Sequence, residues 1–290
     1  MPNYKTHSIH TEKIYPYIDK RIDLDLNDLK VFSFGPDTLI FSDPIVFNVQ
    51  HSKYSKHFFM GLLKEIKRNK LQDKKELISF LYGQISHFIL DYTFHPYVYY
   101  ITTNMKNKKM IGSHLQFELW LDNYIMNKYK VYEKNYFKDK KISDSLVKKT
   151  IDYVYFKVYK CLFASDKYNL GIKSIESIES NIRNNKKLSK FVKSTNIGDL
   201  GYDKKSSDLK DYCNIDRDKW MNPITGETHV ESIDELWNNA CSTFIETIDD
   251  VNKYLYDDQE LHNKLLTSDI SYDTGLSSDI PKKLKFVKKY

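Results

Sequence analysis

The chain has 290 residues, a mass of 34.5 kDa and a formal net charge of +6 from 45 basic and 39 acidic side chains. It contains only 9 glycines and 7 prolines, too few for the frequent turns of a sandwich or barrel, so the composition argues against an all-β fold and favours long helices. Hydrophobic residues make up 41% of the chain, which excludes disorder of the whole chain.

The first part of the chain is predicted to contain two helices. The first begins after Thr6, which we assign as its N-cap, and ends near Tyr15, before Pro16. Residues 23–50 are predicted to be irregular. The second helix is predicted over residues 52–69, where large apolar side chains recur at helical spacing.

The middle of the chain is predicted to contain two more helices separated by a polar loop at 103–109. The third helix begins at an Asp73 cap, with Glu76 completing a capping box, and ends before Pro96. The fourth covers residues 112–129. Its inward face is predicted to consist of Leu115, Leu119 and Ile125.

The remaining helices are predicted with more polar surroundings. One covers residues 143–165, with an apolar face of Leu146, Ile151, Val154, Val158 and Leu162. Others are predicted near 174–181 and 187–193, and a long one over 232–253, continuing toward 266, after a turn-rich connector at 220–228.

These elements predict an all-α fold, a single-domain multi-helix bundle over residues 1–266, followed by a basic C-terminal tail over 267–290. We expect the last ten residues, 281–290, to be a solvated, frayed terminus, with peripheral contact to an anionic membrane as the alternative. The N-terminus has no apolar run typical of a secretory signal, and no segment is apolar enough to span a membrane. We therefore expect a soluble, cytoplasmic protein.

Neither cysteine nor arginine provides an obvious functional site. The three cysteines, Cys161, Cys213 and Cys241, are odd in number and widely spaced, which indicates neither a disulfide framework nor a cysteine zinc site. Arginine occurs at only four positions, so the basic charge is carried almost entirely by lysine. This bias is typical of surface composition rather than of a nucleic-acid-reading surface.

The histidines are distributed unevenly. Seven of the nine fall in the first 114 residues, where an even spread would put about three or four. Three metal-competent groups, His87, Asp91 and His95, are spaced at i, i+4 and i+8, so they share one face of a helix. Polar groups beside the apolar run 88–90 must be satisfied, and a bound metal ion does this well.

A second helix repeats the spacing with His114 and Glu118. A single pair of this kind is more often an ordinary ion pair or hydrogen bond. That explanation accounts poorly for both pairs occurring together with Asp37 in a Gly-Pro-Asp turn, His51 before the second helix and His7 after Thr6. His10 and His57 are interpreted as surface residues or as residues that support the ligands, and His229 and His262 as structural residues.

In this order, the motifs resemble those of the zinc-dependent phospholipase C family, whose helical fold is shared with the fungal and plant single-strand nucleases. The stretch Trp220-Met221-Asn222-Pro223-Ile224-Thr225-Gly226-Glu227, followed by a long helix, also resembles intracellular bacterial members. The resemblance is strong over residues 4–126, weak over 208–250 and absent elsewhere.

The resemblance implies a cluster of two or three Zn²⁺ ions in the mouth of the bundle. A first ion would be held by Asp37, His51, His87 and Asp91, and a second by His95, His114 and Glu118. A third would be held by His7 and a bridging Asp91. In secreted members the free N-terminal amine completes the third site. Here trimming of Met1 would expose Pro2 only five residues before His7, a much shorter gap than in those members, so the expected number of ions is two or three.

The resemblance also implies the chemistry. Zinc ions would bind the phosphodiester and lower the pKa of the attacking water, and Asp37 would orient or deprotonate that water. Tyr97, Tyr99 and Tyr100 are candidates to bind a quaternary ammonium or to stack on a base, but packing in the core with hydrogen-bonded hydroxyls is the favoured explanation.

The preferred function is therefore a zinc-dependent phosphodiester hydrolase similar to phospholipase C. The expected partner is a phospholipid or other phosphodiester substrate, and no stable nucleic-acid partner is expected. Two alternatives stay open: a zinc nuclease or nucleotidase using the same residues, and a non-catalytic helical protein stabilised by metal.

Overall fold

The computed structural model describes residues 4–19, 21–103, 113–131, 137–184 and 212–288. Over these ranges the chain is mostly helical, as the composition predicts. The helices are α1 Tyr4–Ile14, α2 Leu26–Phe32, α3 Pro44–Ser52, α4 Ser55–Arg68, α5 Lys75–Thr102, α6 Ser113–Tyr129, α7 Ser145–Tyr159, α8 Ala164–Asn184, α9 Ile233–Tyr256 and α10 Lys264–Thr267. Two 3₁₀ segments cover Tyr15–Tyr17 and Gly35–Phe41.

Regular strand pairing in the described residues is confined to a short antiparallel ladder. It joins β1, Trp220–Met221, to β2, Thr228–His229, with Trp220 opposite His229. The ladder falls within the connector predicted at 220–228 and precedes α9. Within the described residues, no helix combines the length and apolar character that a membrane span requires.

Helix α5 is the centre of the bundle. Its 28 residues are buried along nearly the whole length, and it packs against α1, α2, α6 and α9. The crossing with α2 is close at Gly83, where a Cβ atom would lie 2.5 Å from the main-chain carbon of Phe32. A helix that is apolar on every side is typical of a bundle interior, so the polar residues on α5 are buried with it.

Helix α5 differs from its prediction at both ends. It continues through Pro96 to Thr102, because Val98 and Ile101 beyond the proline are buried and their packing outweighs the cost of a proline in a helix, about 3 kcal/mol. The capping box is also wrong. The carboxylate of Glu76 instead accepts hydrogen bonds from the main-chain N–H groups of residues 143 and 144, at the start of α7.

Residues 23–50, predicted to be irregular, contain α2, a 3₁₀ segment and α3. Both helices are short and capped by aspartates: Asp25 accepts from the N–H groups of Asn27 and Asp28, and Asp43 from that of Val46. The helix predicted over 52–69 is α4 alone, which begins at Ser55. A left-handed residue, Tyr54, separates it from α3.

Helix α1 begins earlier than predicted, so Thr6 lies inside it and is not an N-cap. Asp122 of α6 performs the capping instead. Its Oδ1 accepts hydrogen bonds from the main-chain N–H of Thr6 at 2.8 Å and from Thr6 Oγ1 at 2.6 Å. A carboxylate from a neighbouring helix therefore satisfies the first turn of α1.

The later helices also differ in detail. Leu115 of α6 and Leu146 and Leu162 near α7 are exposed rather than inward, whereas Ile125, Ile151 and Val154 are buried as predicted. Helix α7 ends at Tyr159 because Lys160 adopts a left-handed cap. The helix predicted near 174–181 is part of α8. The helix predicted at 187–193, most of the loop at 103–109, and Met1 and Pro2 lie outside the described residues.

The segment after α10 does not behave as the frayed terminus predicted for it. The Tyr272 side chain is completely buried, and the main-chain N–H groups of Lys285 and Phe286 donate to the carbonyl of Pro223. The N–H of Lys288 donates to the carbonyl of Tyr100. Hydrogen bonds to fixed partners hold this segment against the bundle. The domain boundary at residue 266 stays a prediction.

Candidate metal centre

Helix α5 presents His87, Asp91 and His95 on one face, and all three side chains are fully buried. Their spacing of four residues advances about one turn at each step, which aligns them along the helix axis. The neighbouring elements bring other predicted ligands to this face: His7 from α1, Asp37 from the second 3₁₀ segment and His51 from α3.

Asp91 lies where two groups of candidate ligands meet, the group His7–His87–Asp91 and the group Asp37–His51–His87. Its Oδ1 is 3.3 Å from His7 Nε2, and its Oδ2 is 3.0 Å from His87 Nε2 and 3.6 Å from His51 Nε2. One carboxylate therefore faces three imidazole nitrogens, which is the arrangement expected of a ligand shared between metal ions.

Asp37 faces the same imidazoles from the other side. Its Oδ1 is 3.2 Å from His51 Nε2 and 3.9 Å from His87 Nε2. The Asp37 side chain is 15% exposed, whereas His51 and His87 are buried. Asp37 is therefore the member of these two groups that borders solvent.

A third group combines His95 with His114 and Glu118 of α6. His114 Nε2 is 2.7 Å from Glu118 Oε1, and the rings of His95 and His114 lie 6.0 Å apart. In each of the three groups, His7–His87–Asp91, Asp37–His51–His87 and His95–His114–Glu118, the candidate ligand atoms lie within 4.8 Å of one another. All eight predicted ligands thus come together along α5.

Metal ions would satisfy atoms that the fold leaves without hydrogen bonds. Among the described residues, these buried atoms are Asp37 Oδ1, both carboxylate oxygens of Asp91 and the Nε2 atoms of His7, His51, His87 and His95. Leaving such groups bare costs roughly 1–3 kcal/mol each. Tetrahedral ligands at zinc lie about 3.5 Å apart, so separations up to 4.8 Å close around an ion with small movements. The residues present fit zinc.

The other nitrogen of three imidazoles is held by a main-chain carbonyl. His51 Nδ1–H donates to Phe47 at 2.8 Å, His87 Nδ1–H to Ser33 at 3.1 Å and His95 Nδ1–H to Tyr272 at 2.7 Å. Such bonds fix the tautomer and turn Nε2 toward the ligand groups.

The charges of the buried groups also favour a cation. Burial opposes ionisation of Asp91, but the neighbouring imidazoles, His87 first, hold its pKa well below the ordinary value. Burial lowers the pKa of both His7 and His95. Burial acts against protonation of His51 as well, but the neighbouring carboxylates of Asp37 and Asp91 prevail and raise its pKa to about 10. An ionised carboxylate beside neutral imidazoles is the form that binds metal, so Asp91, His7 and His95 already have that form, whereas His51 must release a proton when an ion binds.

Gly35 of the Gly-Pro-Asp turn is required by the site for steric reasons. Its φ is +55°, and a Cβ atom there would lie 2.3 Å from His87 Cγ. The glycine therefore lets the 3₁₀ segment approach the imidazole closely enough to deliver Asp37.

The three predicted tyrosines are placed differently. The Tyr99 ring lies 5.4 Å from that of His95 and 4.9 Å from that of His114, at the third group. Tyr97 is in the core, where its hydroxyl donates to the carbonyl of Tyr212, and Tyr100 packs on Trp220. The structure therefore brings Tyr99 to the centre and leaves Tyr97 and Tyr100 to pack elsewhere.

The remaining histidines lie outside the three groups. His10 is fully buried, which excludes the surface alternative; its Nδ1 is 2.9 Å from Ser86 Oγ, next to His87 in sequence, so it lies behind the candidate ligands. His57 is exposed. His229 stacks on Trp220, and His262 is exposed.

The sequence reasoning missed the contribution of the C-terminal segment. The Tyr272 ring lies 5.6 Å from that of His51, and the N–H of Asp273 and the hydroxyl of Ser271 both donate to the His51 carbonyl. Lys282 Nζ lies 4.1 Å from the centre of the Tyr99 ring and contacts Asp273 at 3.1 Å. Contacts made by main-chain atoms do not depend on residue type, so the sequence does not indicate them. The signal available was an aromatic residue at 272 followed by a glycine at 275, a pattern consistent with an ordered turn.

Comparison with protein families gives one match. The family model described as zinc dependent phospholipase C matches residues 5–169, more than half of the chain, and all eight predicted ligands lie within that range. Neither the curated proteins nor the solved structures give a significant match. The C-terminal residues that contact His51 and His95 lie beyond the matched range.

Proposed function

We propose, from the premise that the chain belongs to the zinc-dependent phospholipase C family, that it hydrolyses phosphodiesters of the phospholipid type at the centre built on α5. The family has a zinc-dependent hydrolytic chemistry, and the three groups of candidate ligands supply residues suited to it.

The single observation that carries the proposal is the position of Asp91. One buried carboxylate touches the ligand nitrogens of His7, His51 and His87, and both of its oxygens lack hydrogen bonds among the described residues. A lone structural ion needs one closed set of ligands. A shared carboxylate instead supports neighbouring ions, which suit a phosphodiester because it carries two non-bridging oxygens.

Asp37 is suited to manage the proton of the attacking water. When bound, zinc supplies positive charge for the phosphate and lowers the pKa of water. The Asp37 carboxylate lies 3.2 Å from His51 Nε2, close enough for the two atoms to be ligands of one ion, yet it borders solvent. It can therefore orient a water molecule and accept its proton, while the buried Asp91 stays committed to the imidazoles.

The rim of the third group offers contacts to the substrate. His114 is about one-third exposed, and Tyr99 and Lys282 lie beside it. The Lys282 ammonium can attract the phosphodiester charge, and the Tyr99 ring can pack against the headgroup. These residues orient the substrate while Asp37 handles the proton.

The test is turnover of a soluble phosphodiester by the zinc-loaded full chain. We expect hydrolysis of p-nitrophenyl phosphocholine, and a loss of about 10²–10³-fold or more in kcat for Asp37→Asn. The control is Asp258→Asn, because that side chain is 91% exposed. Equal rates for wild type and Asp37→Asn would contradict the role of Asp37.

A substrate panel separates the alternatives. Single-stranded DNA and nucleotides should be turned over poorly relative to the phosphocholine ester. Preferential release of nucleotides would select the nuclease reading instead. Retention of zinc with no hydrolysis of any phosphoester would select a metal-stabilised, non-catalytic protein.

A further inference from the structure

Two neighbouring turns carry a cluster of exposed apolar side chains. One turn, at residues 42 and 43, joins the second 3₁₀ segment to α3, and the residues on either side of it, Ile40, Phe41 and Ile45, are exposed, the last of these at 77%. The other joins α7 to α8 and exposes Leu162 and Phe163, the latter at 68%. Scattered apolar residues on a surface need no explanation, but five on two adjoining turns form a patch.

Direct contacts hold the two turns together. Asp43 Oδ2 lies 2.7 Å from Lys167 Nζ and 3.7 Å from Cys161 Sγ, so the first turn is tied to the start of α8. Gly171 of α8 is so close to the 3₁₀ segment that precedes the first turn that a Cβ atom there would lie 2.0 Å from the Thr38 carbonyl oxygen. Leu170, also exposed, extends the patch along α8.

The second turn exposes apolar side chains in a backbone conformation that costs conformational free energy. Lys160 and Phe163 both adopt left-handed φ angles, +58° and +56°. A bulky residue in this region is a genuine outlier, since glycine or asparagine would adopt it more easily. An exposed phenylalanine at such a position gains nothing from burial in the chain itself.

The patch adjoins the candidate metal centre. Ile40 follows Asp37 by three residues in a 3₁₀ segment, where side chains at i and i+3 eclipse each other about 6 Å apart. The exposed edge of Asp37 and the first side chain of the patch therefore share one face. A surface that binds the patch would therefore also lie next to Asp37, the residue proposed to accept the proton of the attacking water.

Lysines surround the apolar side chains. Lys157 and Lys160 precede the second turn, and Lys173 follows Leu170 by three residues on α8; all three are exposed. Three carboxylates lie in the same region: Asp43 pairs with Lys167, Asp166 pairs with Lys148, and Asp152 accepts a hydrogen bond from the main-chain N–H of Ser165. The rim therefore keeps an excess of positive charge.

We infer that this patch is a docking surface for an anionic phospholipid bilayer, with the five apolar side chains entering the interface and the lysine rim meeting the headgroups. Apolar tips within a cationic rim are the combination that binds such a surface, and the positive rim disfavours a second copy of the same patch. The choice of a lipid surface rests on the proposed function, because the bilayer would hold the substrate.

The test is co-sedimentation of the full chain with vesicles of phosphatidylcholine, with and without phosphatidylglycerol. We expect binding to the anionic vesicles that weakens with salt. Phe163→Asn and Ile45→Gln should each weaken it about tenfold, and Lys157→Gln or Lys160→Gln about fivefold. Asparagine suits the left-handed φ at 163, so Phe163→Asn should fold normally, as judged by circular dichroism and Tm.

Two controls locate the effect. Ile215→Gln removes an exposed apolar side chain elsewhere, and the double variant Lys283→Gln/Lys285→Gln removes charge from the C-terminal segment. Both should bind as wild type. Any of three results would overturn the inference. Wild type binds neither kind of vesicle, Phe163→Asn and Ile45→Gln bind vesicles like wild type, or those variants abolish association between copies of the chain rather than vesicle binding.

Hydrolysis of p-nitrophenyl phosphocholine separates this inference from the proposed function. The patch variants should turn over that soluble ester at the wild-type rate while losing activity on vesicles. Vesicle binding without turnover of any phosphoester would defeat the proposed function and leave the docking surface standing. Turnover of the soluble ester without vesicle binding would defeat the docking surface and leave the proposed function standing.

Discussion

The His95 Nδ1–H donates a 2.7 Å hydrogen bond to the main-chain carbonyl of Tyr272, 177 residues further along the chain. This bond fixes the tautomer of His95. It leaves Nε2 as the candidate ligand atom in the group that His95 forms with His114 and Glu118. The Tyr272 ring meanwhile packs among His51, Phe59 and Phe88. One residue thus supports ligands in two different groups.

Tyr272→Ala should lower the free energy of unfolding by about 3–5 kcal/mol, because it removes a completely buried aromatic ring. It should also weaken zinc binding, since the carbonyl that holds His95 loses its anchored position. Urea titration and competition with a chromogenic chelator measure the two effects.

Tyr272→Phe is the matched control for that variant. It keeps the ring and the carbonyl, so the free energy of unfolding should change by about 1 kcal/mol or less and zinc affinity should be unchanged. If Tyr272→Ala bound zinc as tightly as Tyr272→Phe, the segment would have only a packing role.

Removal of metal should destabilise the protein. The buried ligand atoms of His7, Asp91 and His95 have no other hydrogen bonds among the described residues, so the folded state gains the free energy of binding. At free zinc about 1,000 times Kd this is about 4 kcal/mol per site. Chelation should lower Tm, and added zinc should restore it.

Magnesium is the control for that experiment. It prefers oxygen ligands in octahedral geometry, whereas the three groups are rich in imidazole. An unchanged Tm after chelation, or full recovery with magnesium, would show that the clusters are not zinc sites.

Asp91→Asn should reduce the number of zinc ions bound per chain and lower hydrolysis by about 10²–10³-fold or more. The amide keeps the size of the side chain but removes the charge that faces His7, His51 and His87. Metal analysis after gel filtration measures the stoichiometry. Asp258→Asn, on an exposed side chain, should match wild type; normal zinc content in Asp91→Asn would refute the bridging role.

His10 should make the metal-free protein sensitive to acid. Burial lowers its pKa from 6.5 to about 3, so between these values the unfolded chain binds a proton that the folded chain does not. The free energy of unfolding therefore falls as pH drops through this window, by about 1.4 kcal/mol per pH unit for this group.

His10→Gln should remove that contribution, so its free energy of unfolding should depend less steeply on pH between 6 and 4. The slope is compared rather than the absolute stability, because the substitution disturbs contacts with Ser86 and Trp237. His57→Gln, on an exposed side chain, should keep the wild-type slope. Parallel curves for wild type and His10→Gln would contradict the prediction.

The sequence predicted the ligand face of α5 because helical periodicity alone aligns His87, Asp91 and His95. It could not predict the short helices α2 and α3, which lack a long apolar repeat and depend on single aspartate caps. The exposure of Leu115 was missed for a related reason: α6 is apolar on more than one face, so periodicity does not choose the buried one.

The C-terminal contribution was beyond sequence reasoning for a different reason. Tyr272 and Asp273 act on His95 and His51 through main-chain atoms, which every residue possesses. Capping of α1 by Asp122 likewise joins positions 116 residues apart. Contacts of this kind are set by tertiary packing and leave no local pattern.

The distance in sequence between His95 and Tyr272 also orders the assembly of the centre in time. Synthesis runs from the N-terminus, so all eight candidate ligands are made before Tyr272 exists. A nascent chain can gather these side chains, but it cannot fix His95 or cover His51 until the C-terminal segment has left the ribosome. The centre therefore matures only after residue 272 and the segment around it have been synthesised.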